Sequence, residues 1–315
     1  MNTPYSPRPL GKTDLTVSPL GLGTVEIGLP YGIGIKDLPS EAEAERILKT
    51  AVELGITYID TARGYGVAEE RIGKSGIGKL PGVVIGTKCG QFLKQEPELH
   101  GSDLTKRIRD EIDTSRKNLQ QDRLQLVQLH IELANYTNFQ ELIEIMQALQ
   151  AEEKVQHVGI ASRGEAAPLA AIQTGFFATI QTAYSILDQR MAGQVLPAAQ
   201  KNNVGIINRS VLLKGALTNA ARQLPEALAP LKANAEQATN IATELGIDLP
   251  ALALRFVLSN PAVTTALIGT ITPAHLTTAL AAAAAGPLPP EVLQQLAQLA
   301  LSDPQQVDPS HWPRV

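Results

Sequence analysis

Four ionisable side chains stand where they could work together on a carbonyl group. Asp60, Lys88 and His130 each end a short apolar run, and Tyr65 follows Asp60 by five positions. A phenol exchanges its proton near neutral pH only when a neighbour such as an ammonium stabilises the phenolate, so Tyr65 is the candidate general acid and Lys88 its activator. Asp60 would keep Lys88 charged and oriented, and His130 would hydrogen-bond the substrate carbonyl. Carbonyl reduction needs a hydride donor, and none of these side chains is one; a nicotinamide cofactor would supply the hydride.

The elements that position these residues are eight short apolar runs alternating with helical patterns. The runs lie at 20–24, 56–60, 83–88, 125–130, 155–161, 179–182, 204–209 and 265–268. Helices are predicted over 41–54, 103–119, 139–150, 232–245, 250–259, 273–284 and 290–301. This alternation indicates an α/β protein with a parallel sheet, and eight units predict a (β/α)₈ barrel, with an open doubly wound sheet as the alternative.

The ends of the chain add to this barrel. A turn-like segment at 11–14 predicts a hairpin before the first strand. Helix 290–301 is an extra C-terminal helix, and a proline-containing tail follows it. Because parallel barrels carry their chemistry at the carboxyl ends of the strands, we expect the four ionisable residues to meet at one mouth.

Composition bounds the class of protein. The 315 residues show no linker or shift in composition, which predicts a single domain over 1–315. A net charge of −4 without Lys/Arg runs argues against nucleic-acid and membrane-surface partners. The one cysteine, Cys89, excludes an internal disulfide, and His100, His157 and His311 have no metal-ligand spacing, so no metal site is predicted. We expect a cytoplasmic protein, because the start of the chain lacks an apolar signal segment.

No stretch of the sequence completes a glycine-rich phosphate-binding motif. The third glycine of a dinucleotide fingerprint is replaced by Glu26 near the first strand and by Pro81 later. Segment 73–79 is close to a P-loop, but Leu80 stands where the magnesium-binding hydroxyl belongs, so we predict a solvated turn there. These failures disfavour an open nucleotide-binding fold or an NTPase.

With these residues in view, the sequence resembles the aldo-keto reductase family. The family's Asp-x₄-Tyr-Gly motif is matched by Asp60, Tyr65 and Gly66, and its catalytic lysine and histidine match Lys88 and His130. The resemblance begins with LGKTDLTVSPLGLGT (10–24) and runs to about residue 280. It implies a barrel that binds NADP, or NAD, without a Rossmann domain. The implied reaction reduces an aldehyde or ketone, or oxidises the matching alcohol or sugar.

The resemblance also implies a set of cofactor contacts. They are Thr24, Asp60, Ser162, Gln181, Arg209, Ser210, Leu212, Gly215, Ile268, Gly269, Thr270 and His275. The sequence departs from the family pattern in three regions. The Ser-Asn pair aligns with Ala161-Ser162, Arg209 replaces a stacking aromatic, and Gly269 and His275 replace a lysine and an arginine. The loss of two fixed cations from the 2′-phosphate clamp leaves NADPH and NADH both open as the preferred cofactor.

Two other functions fit some of the same residues. Lys88 could form a Schiff base in a class I aldolase-like barrel, with Tyr65 as proton shuttle, although Asp60 would oppose this by keeping the lysine charged. A cofactor-binding regulatory subunit with little turnover is the second alternative. The stretches around Tyr65 and Lys88 resemble the branch that holds sugar and aldose dehydrogenases, which hints at a small-molecule carbonyl or sugar substrate. Trp312 either folds over the substrate pocket or ends a loosely packed tail.

Overall fold

A computed structural model describes residues 5–31, 37–131 and 139–313 of the chain. The eight apolar runs form a closed barrel of parallel strands, in which the last strand pairs with the first. The barrel strands are β3 (Leu20–Gly23), β4 (Tyr58–Asp60), β5 (Val84–Cys89), β6 (Leu124–His130), β7 (Val155–Ala161), β8 (Thr179–Ala183), β9 (Gly205–Arg209) and β10 (Val263–Gly269). The predicted closed barrel is therefore confirmed over the open sheet.

The predicted hairpin is confirmed as strands β1 (Arg8–Pro9) and β2 (Thr16–Val17), which pair antiparallel. Its side chains Leu10 and Val17 are fully buried in a cluster with residues of the barrel strands. That cluster includes Tyr58, whose hydroxyl would lie only 2.1 Å from a Cβ at Gly86. Glycine at this point of β5 therefore makes room for the tyrosine ring.

Helices surround the barrel and follow its strands. They are α1 (Glu41–Glu53), α2 (Ala68–Ser75), α3 (Gly101–Leu119), α4 (Phe139–Ala151), α5 (Ala166–Gln173), α6 (Val195–Lys201), α7 (Ala229–Glu244), α8 (Leu249–Leu258), α9 (Pro273–Ala284), α10 (Pro290–Ala297) and α11 (Pro304–Val307). Helix α1 begins at a capping box formed by Ser40 and Glu43, in which the Glu43 amide donates to Ser40 Oγ at 3.2 Å. No helix within the described ranges is long and apolar enough to cross a membrane.

Helix α2 corrects the expected solvated turn at 73–79. Residues 73–75 are the last turn of α2, and Ile77 beyond them is buried in a short 3₁₀ turn. A Cβ at Gly73 would lie 2.0 Å from the carbonyl oxygen of Asn118, so this glycine lets α2 pack closely against α3. Gly76 then ends the helix with a φ of 74°.

The C-terminal tail packs onto the body of the protein. The Leu301 amide donates to the Leu187 carbonyl at 2.9 Å, and Trp312 Nε1 donates to the Gln306 carbonyl at 2.9 Å. Trp312 is buried in the main hydrophobic cluster, so the loosely packed tail end is excluded. Asp308, just after α11, lies 3.6 Å from Arg163, which follows barrel strand β7.

Candidate active site

Lys88, the last residue but one of β5, lies at the centre of a buried polar cluster. Lys88 Nζ donates to Asp60 Oδ2 at 2.7 Å, to the Thr61 carbonyl at 2.8 Å and to Tyr65 Oη at 3.4 Å. Its side chain is 1 % exposed, so the ion pair with Asp60 is almost fully withdrawn from water. The barrel therefore brings an ammonium, its counter-ion and a phenol into direct contact.

Lys88 keeps its positive charge in this setting. Burial, the largest single effect, works to lower the pKa of the ammonium. The negative charge of Asp60, the neighbouring phenol of Tyr65 and the hydrogen bonds to both outweigh burial and raise the pKa of Lys88 above its ordinary value. The ammonium also sits 4.7 Å from the centre of the Tyr65 ring. A lysine held charged in this way is a poor nucleophile, because Schiff-base formation needs the neutral amine.

A tight turn after β4 presents Tyr65 to this ammonium. The Tyr65 amide donates to the Ala62 carbonyl at 3.0 Å, and the Tyr65 carbonyl accepts from the first residue of α2 at 3.0 Å. The next residue, Gly66, has a φ of 54°, and a Cβ there would lie 2.3 Å from the Gly28 carbonyl oxygen. The glycine of the Asp-x₄-Tyr-Gly motif thus permits both the turn and the close approach.

Asp60 is braced from its other side by two buried amides. Asp60 Oδ1 accepts from Gln181 Nε2 at 2.6 Å and from Gln128 Nε2 at 3.5 Å. Thr24 Oγ1 donates to the Asp60 carbonyl at 2.8 Å. Sequence reasoning missed Gln128, although a glutamine inside the apolar run of β6 is a signal of a polar group facing the barrel interior. In this structure Gln181, expected against the cofactor, also fixes the aspartate.

His130, at the end of β6, is held neutral. Burial, followed by the positive charges of Lys88, Lys94, Arg209 and Arg163, lowers its pKa to about 3. Its Nδ1 is buried and has no hydrogen-bond partner among the described residues. A neutral imidazole can donate one hydrogen bond and cannot act as a proton reservoir at ordinary pH.

A cavity of about 290 Å³ opens beside Lys88 and His130. Its walls are mostly polar and include Arg63, Gln91, Gln95, Glu111 and Phe92. Two of these groups are fixed by other contacts, because Arg63 pairs with buried Glu69, and Glu111 accepts from the Gly90 amide at 2.7 Å. Trp312 is not among the residues that line it. The size suits a small molecule with several polar groups.

The predicted cofactor residues after β7 and β9 lie together. Arg209 Nη2 donates to the Ser162 carbonyl at 3.1 Å, and Nη1 donates to Ser210 Oγ at 3.3 Å. Ser162 Oγ is buried without a partner among the described residues. Beyond Ser210 the backbone turns tightly, and the Gly215 amide donates to the Leu212 carbonyl at 2.9 Å.

The loop after β10 holds two more of the predicted cofactor residues, Thr270 and His275, close together. Thr270 Oγ1 lies 2.9 Å from His275 Nδ1 and accepts from the Thr272 amide at 3.0 Å. Ile268 and Gly269 pair in register with residues 22 and 23 of β3, which brings this loop next to Thr24. Sequence reasoning noticed Glu26 only as a failed glycine, but its carboxylate packs directly on Gly269.

Cys89 and the three other histidines, His100, His157 and His311, add no further chemistry here. Burial, then the nearby carboxylates Glu111 and Glu69, raise the pKa of the Cys89 thiol well above its usual range, so the thiol stays protonated and inert. Across the described ranges no three histidine, cysteine, aspartate or glutamate side chains gather in a metal-binding group.

Comparison with known proteins gives consistent matches. The Aldo/keto reductase family model matches residues 19–301. The NADH-specific methylglyoxal reductase of Escherichia coli (strain K12) is 32% identical over 226 residues, which cover 67% of this chain and 68% of that protein. D-threo-aldose 1-dehydrogenase of Pseudomonas sp is 29% identical over 302 residues, 84% of this chain and 88% of that one. The solved holo form of aldo-keto reductase AKR11C1 from Bacillus halodurans superposes with a TM-score of 0.79 at 28% identity, covering 97% of this chain and 99% of its own.

Proposed function

The chain belongs to the aldo/keto reductase family, and from that premise we propose how its own residues reduce a carbonyl group. It is an oxidoreductase that uses a nicotinamide cofactor. The observation that carries the proposal is the contact of Tyr65 Oη with Lys88 Nζ at 3.4 Å, with Lys88 itself fixed on Asp60 at 2.7 Å. Tyr65 is the general acid of this reaction. We also propose that residues 1–315 form a single barrel domain. The protein works in the cytoplasm, where its one buried thiol stays reduced.

We propose that the residues at the ends of β7, β9 and β10 form a cofactor groove for a nicotinamide dinucleotide, which would supply the hydride when bound. The unpartnered hydroxyl of Ser162, next to the planar guanidinium of Arg209, offers hydrogen bonding and stacking to the nicotinamide end. Backbone amides of the turn at 210–215 would hold phosphates. The other expected contacts are Thr24, Asp60, Gln181, Ile268, Gly269, Thr270 and His275.

The proton steps follow from the charges around Tyr65. Tyr65 donates its proton to the carbonyl oxygen as negative charge develops there, and the ammonium of Lys88 stabilises the phenolate that remains. Asp60, held by Gln181 and Gln128, keeps that ammonium in place. Neutral His130 donates a hydrogen bond to the same carbonyl oxygen and so orients it. The polar cavity beside them holds the rest of the substrate.

Each alternative function has its own test. Borohydride treatment with a carbonyl substrate would trap a covalent adduct on Lys88 in an aldolase-like enzyme, and we expect no adduct because the lysine is charged. Steady-state assays with NADH, NADPH and a panel of aldehydes and sugars should show turnover. Tight cofactor binding without turnover of any substrate would favour a regulatory subunit.

The substrate class follows from the walls of the cavity. Arg63, Gln91, Gln95 and Glu111 offer donors and acceptors that an aliphatic aldehyde would leave unsatisfied. We therefore propose a hydroxylated aldehyde or a sugar as the substrate. The similarity to a D-threo-aldose 1-dehydrogenase supports this choice.

Replacement of Gln91 with leucine tests the substrate class. We expect KM for a polyhydroxylated aldehyde to rise about 3- to 10-fold, the effect of one lost hydrogen bond. The KM for an unsubstituted aliphatic aldehyde of similar length should stay the same or fall, because that substrate makes no such bond. Equal changes for both substrates would show that Gln91 shapes the loop without recognising hydroxyl groups.

Replacement of His275 with alanine tests cofactor choice. We propose NADP as the cofactor, with NAD also accepted. NAD is accepted because Gly269 and His275 replace the fixed cations that would otherwise make the site selective for a 2′-phosphate. An imidazole attracts phosphate strongly only in its protonated form, which gains population as the pH falls. The ratio of NADPH to NADH affinity should therefore rise between pH 8 and pH 6 in the wild type and stay flat in His275→Ala. A strong preference for NADPH that changes neither with pH nor with the substitution would mean that an arginine or lysine binds the 2′-phosphate.

A further inference from the structure

Glu26 is an acidic residue that the catalytic scheme does not use, and it lies inside the proposed cofactor groove. It follows Thr24 by two positions in the 3₁₀ turn after β3. Its carboxylate lies against the last residue of β10, because a Cβ placed on Gly269 would be 2.0 Å from Glu26 Oε1. The side chain remains partly accessible, although Oε2 is covered. A molecule that contacts both Thr24 and Gly269 must therefore pass this carboxylate.

Within the described ranges no cation is paired with this carboxylate. Oε2 has no hydrogen-bond partner in the described part of the chain. The charged and titratable groups around it are acidic or engaged elsewhere: Asp60 on β4 and Tyr31 in the following loop can only add negative charge, and Arg71 on α2 donates to the Ile27 carbonyl. An unpaired, largely buried carboxylate is costly in its charged form, and a neighbouring anion raises that cost.

We propose that Glu26 is a cofactor-contact residue which takes up a proton when the dinucleotide binds and then faces it as a neutral hydrogen-bond donor. This inference rests on the proposed function, because it needs a dinucleotide on Thr24, Gly269 and Thr270. The pyrophosphate carries two negative charges whichever cofactor is bound, so the charged carboxylate and the cofactor disfavour each other. A protonated carboxyl group removes the repulsion and offers an O–H to a phosphate or ribose oxygen.

The titration of Glu26 gives this proposal its pH range. Burial, the largest effect, outweighs a hydrogen bond from the backbone amide of Glu26 itself and, with repulsion from Asp60, raises the pKa of Glu26 from 4.5 to about 7. Near pH 7 the free protein therefore holds a mixture of both forms, and an anionic ligand shifts the mixture toward the protonated form. Cofactor affinity should therefore rise as the pH falls through 7. The total rise is up to about tenfold for each unit by which cofactor binding raises the pKa of Glu26.

The direct test is calorimetric titration with NADH at pH 7.5 to 8 in buffers of different ionisation enthalpy, which counts the protons taken up on binding. NADH is the probe because it lacks the 2′-phosphate that would recruit His275. We expect uptake of a fraction of a proton up to about one per NADH in the wild type and none in Glu26→Gln. The Kd for NADH should weaken from pH 6 to pH 8.5 in the wild type and stay flat in the variant. Glu45→Gln, an exposed glutamate paired with Lys49 on α1, is the matched control and should behave as wild type.

Thermal unfolding without cofactor gives a second readout. Because the pKa of Glu26 is raised in the folded state, the stability of the wild type should fall as the pH rises from about 4.5 through 7. Glu26→Gln should therefore have the higher Tm at pH 8.5 and nearly the wild-type Tm at pH 5. The same Tm difference at both pH values would show that the negative charge of Glu26 does not destabilise the folded protein, and it would overturn the proposal.

Two other outcomes separate this inference from the proposed function. Absence of NADH and NADPH binding altogether would refute the cofactor groove, whatever Glu26 does in the unfolding experiment. Binding with proton release, or binding that tightens at high pH and is lost in Glu26→Gln, would mean that a charged carboxylate accepts ribose hydroxyls. Either form of binding would contradict the proton-uptake role.

Discussion

Tyr65→Phe is expected to lower kcat/KM for aldehyde reduction by about 10²- to 10⁴-fold, the usual contribution of a general acid. The substitution removes one hydroxyl group, which lies 3.4 Å from Lys88 Nζ, and leaves the ring and its contact with the ammonium. Cofactor affinity should stay nearly unchanged, because the contact of this hydroxyl is with Lys88. Steady-state kinetics together with a fluorescence titration of NADH would measure both quantities.

Tyr5→Phe is the matched control for that experiment. Its hydroxyl donates to the Gly55 carbonyl at 2.7 Å, before β4 and therefore at the opposite end of the barrel from Tyr65. Loss of this bond should cost some stability and leave kcat unchanged. If Tyr65→Phe retained near wild-type turnover of aldehydes, Tyr65 would not be the proton donor.

Lys88→Met is expected to damage both activity and stability. The substitution removes the ammonium that stabilises the phenolate and leaves Asp60 buried without its counter-ion. Breaking a buried ion pair typically costs about 3–5 kcal/mol, and the amides of Gln181 and Gln128 should hold the loss near the lower value. Denaturant unfolding at pH 8 and kcat measurements would give the two effects, with the exposed Lys79→Met as control.

The double variant Asp60→Asn/Lys88→Met separates catalysis from folding. It removes both charges, so most of the lost stability should return while kcat stays low. Recovery of activity together with stability would show that the pair serves only the fold. This variant also provides a folded protein if Lys88→Met alone does not fold.

The strands were predictable because a parallel barrel buries both faces of each strand. All six residues of β5 are buried, and its sequence shows this as an apolar run that ends at Lys88. Helix α1 was equally visible, since Ser40 and Glu43 mark its start. Helix α5 was not, because its sequence, AAPLAAIQ, has almost no contrast between its faces. The packing of α2 on α3 at Gly73 was hidden too, since a small residue does not reveal its neighbour.

The site was predictable where a residue type ends a strand and hidden where it lies within one. Their position at strand ends singled out Asp60, Lys88 and His130. Asp60 and Lys88 contact each other, and Lys88 and His130 line the same cavity. Gln128 lies inside β6, and its amide reaches Asp60 on β4 past the intervening strand β5, a contact that the order of residues along the chain does not reveal. The contact of Glu26 with Gly269 likewise depends on the pairing of the first barrel strand with the last, about 240 residues apart in sequence.

The pH profile of kcat/KM for carbonyl reduction tests the central claim that Lys88 tunes the proton donor Tyr65. In the wild type, activity should fall at high pH as the donor loses its proton. In Asp60→Asn/Lys88→Met the residual activity should fall only at a higher pH, because an ammonium no longer stabilises the phenolate. A high-pH limb with the same midpoint in both proteins would contradict the account.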